Sequence, residues 1–151
     1  MDTSHSEPKL TLMTINNSNW RKVIRIKVKP EQLDFIAEPS YYLLLCHYGE
    51  LWQPLAVILG DQVIGFIMWA MDPQDGSCWL GGFHLDADWQ GKGYGRQTLQ
   101  TAIKMLSEQE GCRDFALSVL PNNPAIKVYK SVGFVETDEM EDDEMVMRFS
   151  M

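Results

Sequence analysis

The stretch that decides the fold is Asp86-Ala-Asp-Trp-Gln-Gly-Lys-Gly-Tyr-Gly-Arg96, in which three glycines alternate with other residues. An apolar run before it favours a strand, and residues 93–110 after it carry apolar side chains at helical spacing. Glycine has no Cβ, so such a loop can turn tightly and direct several backbone N–H groups at one anion. The helix that starts here adds unpaired N–H groups and the positive end of its dipole. The stretch therefore predicts a phosphate or diphosphate site between a strand and a helix.

Outward from this loop, the chain alternates short apolar runs with turn residues. Gly60-Asp61 separates two apolar runs and predicts a tight hairpin, and Asp72-Pro-Gln-Asp-Gly76 predicts a second turn. The order β-α-α-β-β-β-α-β-α-β-β favours an α/β fold with a mixed, mostly antiparallel sheet and helices on both faces. Predicted strands start near residues 10, 54, 62, 78, 114, 134 and 145, and predicted helical segments near 20, 30, 39, 93 and 125.

Length and composition predict one domain. With 151 residues, of which 45% are hydrophobic, the chain fits a single domain at 9–151 behind a polar leader, residues 1–8, that we expect to be disordered. No apolar run approaches the ~20 residues that span a bilayer, and the first residues lack the pattern of a signal peptide. We therefore expect a cytoplasmic protein that does not enter a membrane. The three cysteines, at 46, 78 and 112, lack zinc-site spacing, so we expect reduced thiols and no metal.

Acidic residues dominate the net charge of −8. The segment 136–144 holds seven acids and no base, and accounts for all but one unit of that charge. An acidic chain does not bind nucleic acid by neutralising phosphates. The acidic segment is typical either of a solvated turn between two strands or of a surface that attracts a small cationic partner.

Two other nucleotide-binding patterns fit the glycine loop poorly. A Rossmann fingerprint needs G-x-G-x-x-G after an early parallel strand, whereas Gly91, Gly93 and Gly95 are evenly spaced and follow three hairpin-linked strands. A P-loop needs Ser or Thr after Gly-Lys, and here Lys92 is followed by glycine. A tight turn without a ligand is the remaining alternative.

Two motifs together resemble those of the GNAT superfamily of N-acetyltransferases. Gln90-Gly-Lys-Gly-Tyr-Gly95 resembles the superfamily's Q/R-x-x-G-x-G/A signature for acetyl-CoA. Asn123-Pro-Ala-Ile-Lys-Val-Tyr-Lys-Ser-Val-Gly-Phe134 resembles its later motif, and the two stand in the expected order. The resemblance covers residues 10–149 and implies a three-layer sandwich whose two central strands splay apart.

Shorter motifs resemble the spermine/spermidine (diamine) acetyltransferase branch of the bacterial GNAT proteins. They are Pro30-Glu-Gln-Leu-Asp-Phe-Ile-Ala37 with Asn19-Trp20 upstream, Trp79, and the ending Glu144-Met-Val-Met-Arg148. This resemblance implies direct acetyl transfer from acetyl-CoA, without a metal, to a primary amine of a polyamine such as spermidine or spermine. Two alternatives stay open: another amine (an aminoglycoside, a protein lysine or N-terminus), or a non-catalytic acetyl-CoA-binding module. Many relatives dimerise, so we expect a homodimer.

The resemblance also implies roles for individual residues. Tyr129 is the candidate general acid for the leaving thiolate, with core packing as its alternative. His84 is a candidate base, acting through water, with a structural role as its alternative. Asn123 would hold the far side of the cofactor or cap a helix. The predicted cofactor-binding residues are Phe83, His84, Leu85, Gln90, Gly91, Lys92, Gly93, Tyr94, Gly95, Arg96, Asn123 and Tyr129.

A polyamine places positive charges at intervals along a methylene chain. Its site therefore needs spaced carboxylates with aromatic faces between them, for the stem and for cation–π contact. Taken singly, such aromatic residues are more often part of a core. The predicted substrate-binding residues are Glu31, Glu38, Tyr41, Trp79, Glu139 and Glu144, with Tyr42 and Trp69 as further aromatic candidates.

Overall fold

The structure, a computed structural model, describes residues 8–151, which form a seven-stranded sheet and four α-helices. The strands are β1 Leu10–Thr14, β2 Gln53–Leu59, β3 Gln62–Met71, β4 Cys78–Leu85, β5 Asp114–Val119, β6 Val135–Glu141 and β7 Glu144–Ser150. The helices are α1 Trp20–Ile24, α2 Pro39–Gly49, α3 Tyr94–Glu110 and α4 Ile126–Val132, and 3₁₀ turns cover Pro30–Asp34 and Ala87–Trp89. The predicted disordered leader, residues 1–8, lies outside the described residues except for Pro8.

The sheet opens between its two central strands. Its order is β1-β2-β3-β4-β5-β7-β6, and every neighbouring pair is antiparallel except β4 and β5, which run parallel. These two strands pair at only two positions, Cys78 with Phe115 and Trp79 with Ala116. Beyond them lies a gap, called the wedge below, between residues 80–85 of β4 and 117–119 of β5. The predicted fold class, a mixed and mostly antiparallel sheet with splayed central strands, is confirmed.

Helices cover both faces of the sheet, as predicted. The face under α3 and α4 carries the larger apolar core, which includes Phe115 and Leu85. The face under α1 and α2 carries a second core, which includes Val23 and Phe66. Because successive residues of a strand point to opposite faces, β4 directs Leu85 to the α3/α4 side, whereas His84 stacks on Phe66 on the α1/α2 side.

The longest helix, α3, begins after one glycine and ends before another. Gly93 at its N-cap and Gly111 at its C-cap both have left-handed backbone angles, φ +87° and +71°, that glycine adopts without strain. Its apolar residues, including Leu99 and Ile103, lie on the one face that packs on the sheet. None of the helices within residues 8–151 is long and apolar enough to cross a membrane.

Two predicted segments differ from the structure. The helix expected to start at Pro30 is a single 3₁₀ turn, because Pro39 holds Glu38 in an extended conformation and so begins a separate helix, α2. The acidic segment 136–144 is largely strand rather than turn, since β6 reaches Glu141 and only two residues join it to β7. β6 is an edge strand, and charged side chains suit an edge that faces solvent.

Candidate active site

The glycine loop is an open cradle at the start of α3. Gly91 and Gly93 have φ values of +75° and +87°, and a Cβ added at either would meet nothing within 4 Å. The first N–H groups of α3 have no partner within the helix, because the first helical bond runs from Gln97 N–H to the Gly93 carbonyl. Free amides around open space at a helix N-terminus fit a diphosphate.

Gly95, also predicted to bind the cofactor, lies where α3, α4 and β4 approach one another. A Cβ added there would be in ordinary van der Waals contact with Val128 of α4 at 3.7 Å and Phe83 of β4 at 3.8 Å. Packing therefore does not require glycine at this position, and its role in the cradle stays a prediction. Lys92 and Arg96 are exposed cations on the loop, and the Lys92 ammonium lies 5.6 Å from the centre of the Trp89 ring.

The side chain of Gln90 points back into the protein and anchors the loop. Its Nε2 donates to the Leu85 carbonyl at 2.9 Å, and its amide pairs with that of Gln32 through two hydrogen bonds of 2.8 Å. Gln32 in turn accepts from the Lys29 N–H at 3.0 Å. Sequence reasoning did not select Gln32, although it lies inside the 30–37 motif. The cradle is thus supported from behind by the segment that precedes α2.

The strand edge that faces the wedge is open at residues 83–85, which are among the predicted cofactor-binding residues. His84 and Leu85 pair with Phe66 and Gly65 of β3 on one side, and β5 pairs with β4 only at Cys78 and Trp79 on the other. Backbone groups of residues 83–85 can therefore pair with an extended, peptide-like ligand.

Two phenols and a carboxylate lie close enough to the wedge to affect one another's pKa. Tyr129 on α4 is half-buried, and burial, followed by the charges of Glu144 and Tyr42, raises its pKa. Tyr42 lies on α2, on the opposite face of the sheet, so the two phenols can interact only through the gap between β4 and β5. The Ser118 hydroxyl, which sequence reasoning did not select, donates to Glu144 Oε1 at 2.9 Å. The Tyr129 phenol therefore keeps its proton at neutral pH beside an acidic residue.

His84 is a buried, neutral base with one unused nitrogen. Its Nδ1 lies 2.8 Å from the Gly82 carbonyl, and because a carbonyl only accepts, Nδ1 carries the proton. Its Nε2 is buried and has no hydrogen-bond partner among the described residues. Its ring packs against both Phe66 and Tyr42, with centroids 5.6 and 5.9 Å away, and those two rings also stack on each other at 5.8 Å. Burial lowers the pKa of His84 to about 4.

Acid should destabilise the protein through His84. The pKa of His84 is about 4 in the folded protein against an ordinary value of 6.5, so the unfolded chain takes up the proton first. The free energy of unfolding therefore falls as pH drops from 6.5 towards 4 and is unaffected above that window. We expect His84 to account for a loss of about 2 kcal/mol between pH 7 and pH 5.

Urea unfolding of His84→Asn at pH 7 and pH 5 measures how much His84 contributes to the loss of stability in acid. The asparagine amide can still donate to the Gly82 carbonyl, but it does not titrate. The variant should lose about 2 kcal/mol less than the wild type on acidification. His47→Asn, at an exposed position of α2, is the control and should behave as the wild type. Equal losses in all three proteins would contradict the pKa assigned to His84.

Only part of the predicted substrate set is brought together. Glu139 forms a two-point ion pair with Arg148, at 2.6 and 2.9 Å, and the Arg148 guanidinium lies 5.8 Å from the centre of the Trp79 ring. Sequence reasoning did not foresee that Arg148, on the same face of β7 as Glu144, neutralises Glu139. Glu31 on the 3₁₀ turn and Glu38 at the N-cap of α2 form no ion pair with the others within the described residues. Tyr41 on α2 contacts Tyr42, with ring centroids 5.6 Å apart.

Asn123 lies in the turn that leads into α4, whose N-cap is Ala125, and both of its predicted roles stay predictions. Its Oδ1 accepts from the Ala125 N–H at 2.9 Å.

Among the residues described, no group of three or more His, Cys, Asp or Glu side chains is arranged to hold a metal ion.

Comparison with known proteins identifies the class that this fold and site define. Residues 14–134 match the acetyltransferase (GNAT) family, and the chain belongs to that family. It is an acetyltransferase. The chain is similar to the spermine/spermidine N(1)-acetyltransferase of Bacillus subtilis (strain 168), with 28% identity over 142 residues that cover 87% of this chain and 91% of that protein. A probable spermine N(1)-acetyltransferase of Bacillus subtilis subsp. natto is similar to the same extent.

Solved structures share the fold. A spermidine N-acetyltransferase from Vibrio cholerae, in complex with CoA and spermine, superposes with a TM-score of 0.71 at 17% identity and covers 92% of each chain. An aminoglycoside acetyltransferase in complex with coenzyme A and kanamycin superposes with a TM-score of 0.78 at 16% identity, covering 94% of this chain and 95% of that one. The GNAT resemblance seen in the sequence is confirmed.

Proposed function

We propose that this chain transfers an acetyl group from acetyl-CoA directly to a primary amine of a polyamine such as spermidine or spermine, in a ternary complex. The observation that carries the proposal is the open glycine cradle at the start of α3, beside α4, which bears the Tyr129 phenol whose pKa is raised by burial and by the charge of Glu144. The activities named for the two Bacillus relatives support a polyamine as the acceptor.

The chain's own groups suit each part of the acyl donor. The amides of the loop and of the first turn of α3 would bind the diphosphate, with Lys92 and Arg96 adding charge. The open edge of residues 83–85 would bind the pantetheine arm as an added strand. When bound, acetyl-CoA supplies an activated acetyl group whose leaving group is a thiolate.

Proton transfer is the main demand on the site. A primary amine with a pKa near that of lysine is neutral in only about one molecule in 2,500 at pH 7, a deficit of roughly 4.6 kcal/mol. The Glu144 carboxylate attracts the ammonium group to the wedge. His84, neutral and with a free lone pair on Nε2, relays the amine proton through water rather than retaining it. Tyr129 then donates its proton to the departing thiolate.

A thiol-release assay with acetyl-CoA and a panel of amines tests the proposal. The panel holds spermidine, spermine, putrescine, an aminoglycoside and a lysine-containing peptide. We expect the highest kcat/KM with spermidine or spermine. If only the aminoglycoside or only the peptide is acetylated, that amine is the substrate and the polyamine assignment is wrong. If no amine is acetylated although CoA binds, the chain is a non-catalytic acetyl-CoA-binding module.

Removing the charge of Glu144 should weaken amine binding. Glu144→Gln is expected to raise the KM for spermidine about tenfold, because an ammonium group loses a charged hydrogen-bond partner. Glu141→Gln is the matched control: Glu141 pairs with Glu144 across the hairpin but is exposed, so its KM should change less than about twofold. Equal effects in the two variants would place the amine away from Glu144.

A further inference from the structure

The tryptophan rings of this protein differ in whether a cation of the chain already lies over them. Three of the five rings lie under such a cation, at 4.4, 5.6 and 5.8 Å from the ring centre: Trp20 under Arg21, Trp89 under Lys92 and Trp79 under Arg148. Among the described residues, no cation lies over Trp52 or Trp69. Trp69 packs against the core under α3 and α4, whereas Trp52 packs on the α1/α2 face and is partly exposed. Trp52 therefore offers an indole to a cation from outside.

Two consecutive glycines of β4 give Trp52 and Tyr42 room to lie against the strand. A Cβ added at Gly81 would stand 3.1 Å from two carbons of the Trp52 ring, and one at Gly82 would stand 3.1 Å from the Tyr42 ring. Consecutive strand residues normally point to opposite faces, but the pairing of β3 with β4 shifts at this point and Gly82 has φ +58°. Both glycines therefore face the α1/α2 side.

The two glycines lie near the closed end of the wedge. β4 and β5 still pair at Trp79, and the wedge opens from residue 80 towards Leu85 and the glycine loop. The inference rests on the proposed function, in which the pantetheine arm comes from the loop and pairs with residues 83–85. The acetyl end of the arm then lies towards Gly82. Since the cradle belongs to α3, on one face of the sheet, the amine can approach from the opposite α1/α2 face.

The electrostatics of this face suit an ammonium group. Burial raises the pKa of Tyr42, and the charge of Glu144 raises it further, so the field of a carboxylate reaches these rings. His84, whose ring packs on Tyr42, is neutral at pH 7 because burial lowers its pKa to about 4. Two aromatic rings, a neutral imidazole and a carboxylate thus surround the place where the amine would approach.

We propose that the Trp52 indole binds a second ammonium group of the acceptor by a cation–π contact while the first amine reacts at the wedge. Neighbouring nitrogens of a polyamine are three or four methylenes apart, about 5–6 Å in an extended chain. One to two residues of a strand span about 3–7 Å. A polyamine whose terminal amine meets the acetyl group beside Gly82 therefore brings its next ammonium to the region of Gly81 and Trp52. Trp52 thus favours polyamines over monoamines.

Calorimetric titration of the CoA-saturated protein with spermidine and with hexylamine tests this contact without relying on turnover. Hexylamine has a methylene stem but only one ammonium group. Trp52→Leu should weaken spermidine binding about fivefold, the effect of losing a cation–π contact, and hexylamine binding less than about twofold. Trp52→Phe keeps an aromatic face and should lose less affinity for spermidine than Trp52→Leu does.

Gly81→Ala tests the geometry while Trp52 is intact. Its methyl group would stand 3.1 Å from the indole, closer than ordinary contact, so the ring has to shift. The variant should therefore weaken spermidine binding about as much as Trp52→Leu. Two controls should keep the wild-type affinity. Gly49→Ala adds a methyl group in ordinary contact at 3.6 Å, and Trp20→Leu removes an indole that already lies under a cation of the chain.

The outcomes separate this inference from the proposed function. If Trp52→Leu binds spermidine as tightly as the wild type, or loses as much affinity for hexylamine as for spermidine, the cation–π contact is wrong and the acetyltransferase proposal stands. If the wild type neither binds nor acetylates a polyamine, both are wrong. An equal loss of affinity in the two control variants would assign the effect to general packing and would also contradict the contact.

Discussion

Gly93→Ala should weaken coenzyme A binding about 100-fold, or about 2.8 kcal/mol. Gly93 lies at the N-cap of α3 with φ +87°, and the space beside it is open to at least 4 Å. A methyl group there would stand among the free amides at the place proposed for the diphosphate, where it would exclude phosphate oxygens and their hydrogen bonds. Isothermal titration with coenzyme A measures the change.

Gly111→Ala supplies a matched control on the same helix. Gly111 caps the other end of α3 with φ +71°, and a Cβ there would likewise meet nothing within 4 Å. Each variant should lose about 1–2 kcal/mol of stability, the cost of a left-handed alanine. Only Gly93→Ala should lose affinity. An equal loss of affinity in both variants would assign the effect to strain, and undiminished affinity in Gly93→Ala would move the diphosphate away from the loop.

Tyr129→Phe should lower kcat about 100-fold while the Kd for coenzyme A changes less than twofold. The raised pKa of Tyr129 keeps the phenol protonated, so it can donate to a leaving thiolate in every turnover. Phenylalanine keeps the ring that packs against Phe134 at 6.3 Å, so the substitution removes the proton donor and little else. Steady-state turnover and calorimetry on the same protein separate the two quantities.

Two other tyrosine variants show whether the effect belongs to this phenol. Tyr48→Phe makes the same change on the exposed side of α2, where Tyr48 is 75% exposed, and should not alter kcat. Tyr42→Phe removes the second phenol at the wedge. A large loss in Tyr42→Phe with none in Tyr129→Phe would assign the proton donor to Tyr42, and unchanged kcat in both would remove phenols from the chemistry.

Local patterns were sufficient for the fold class and the position of the cradle. Alternating and helical apolar spacings are local properties, so the order of strands and helices could be predicted from them. The cradle was predictable for the same reason: Gly91 and Gly93 need no distant partner to adopt positive φ. The resemblance of two motifs to those of the GNAT family is confirmed. The catalytic roles of Tyr129 and His84 and the remaining site assignments stay predictions.

Contacts between distant segments decided the rest of the candidate site. No local pattern indicates that Gln32 would hold Gln90, or that Arg148 would neutralise Glu139, because each pairing joins residues that meet only after folding. Likewise, His84 is a weak base because the ring is buried against Phe66 and Tyr42, and burial depends on the packing of α2 on the sheet.

The amino-acid sequence by itself determined where the open glycine cradle lies, since glycine backbone freedom and a helix start are properties of consecutive residues. Tertiary structure alone decided which side chains lie beyond the cradle. β4 and β5 pair at only two positions before they part, and through this opening Tyr129 and Tyr42 affect each other from opposite faces of the sheet. Strand separation reflects the packing of all three layers at once, so no single stretch of the chain encodes it.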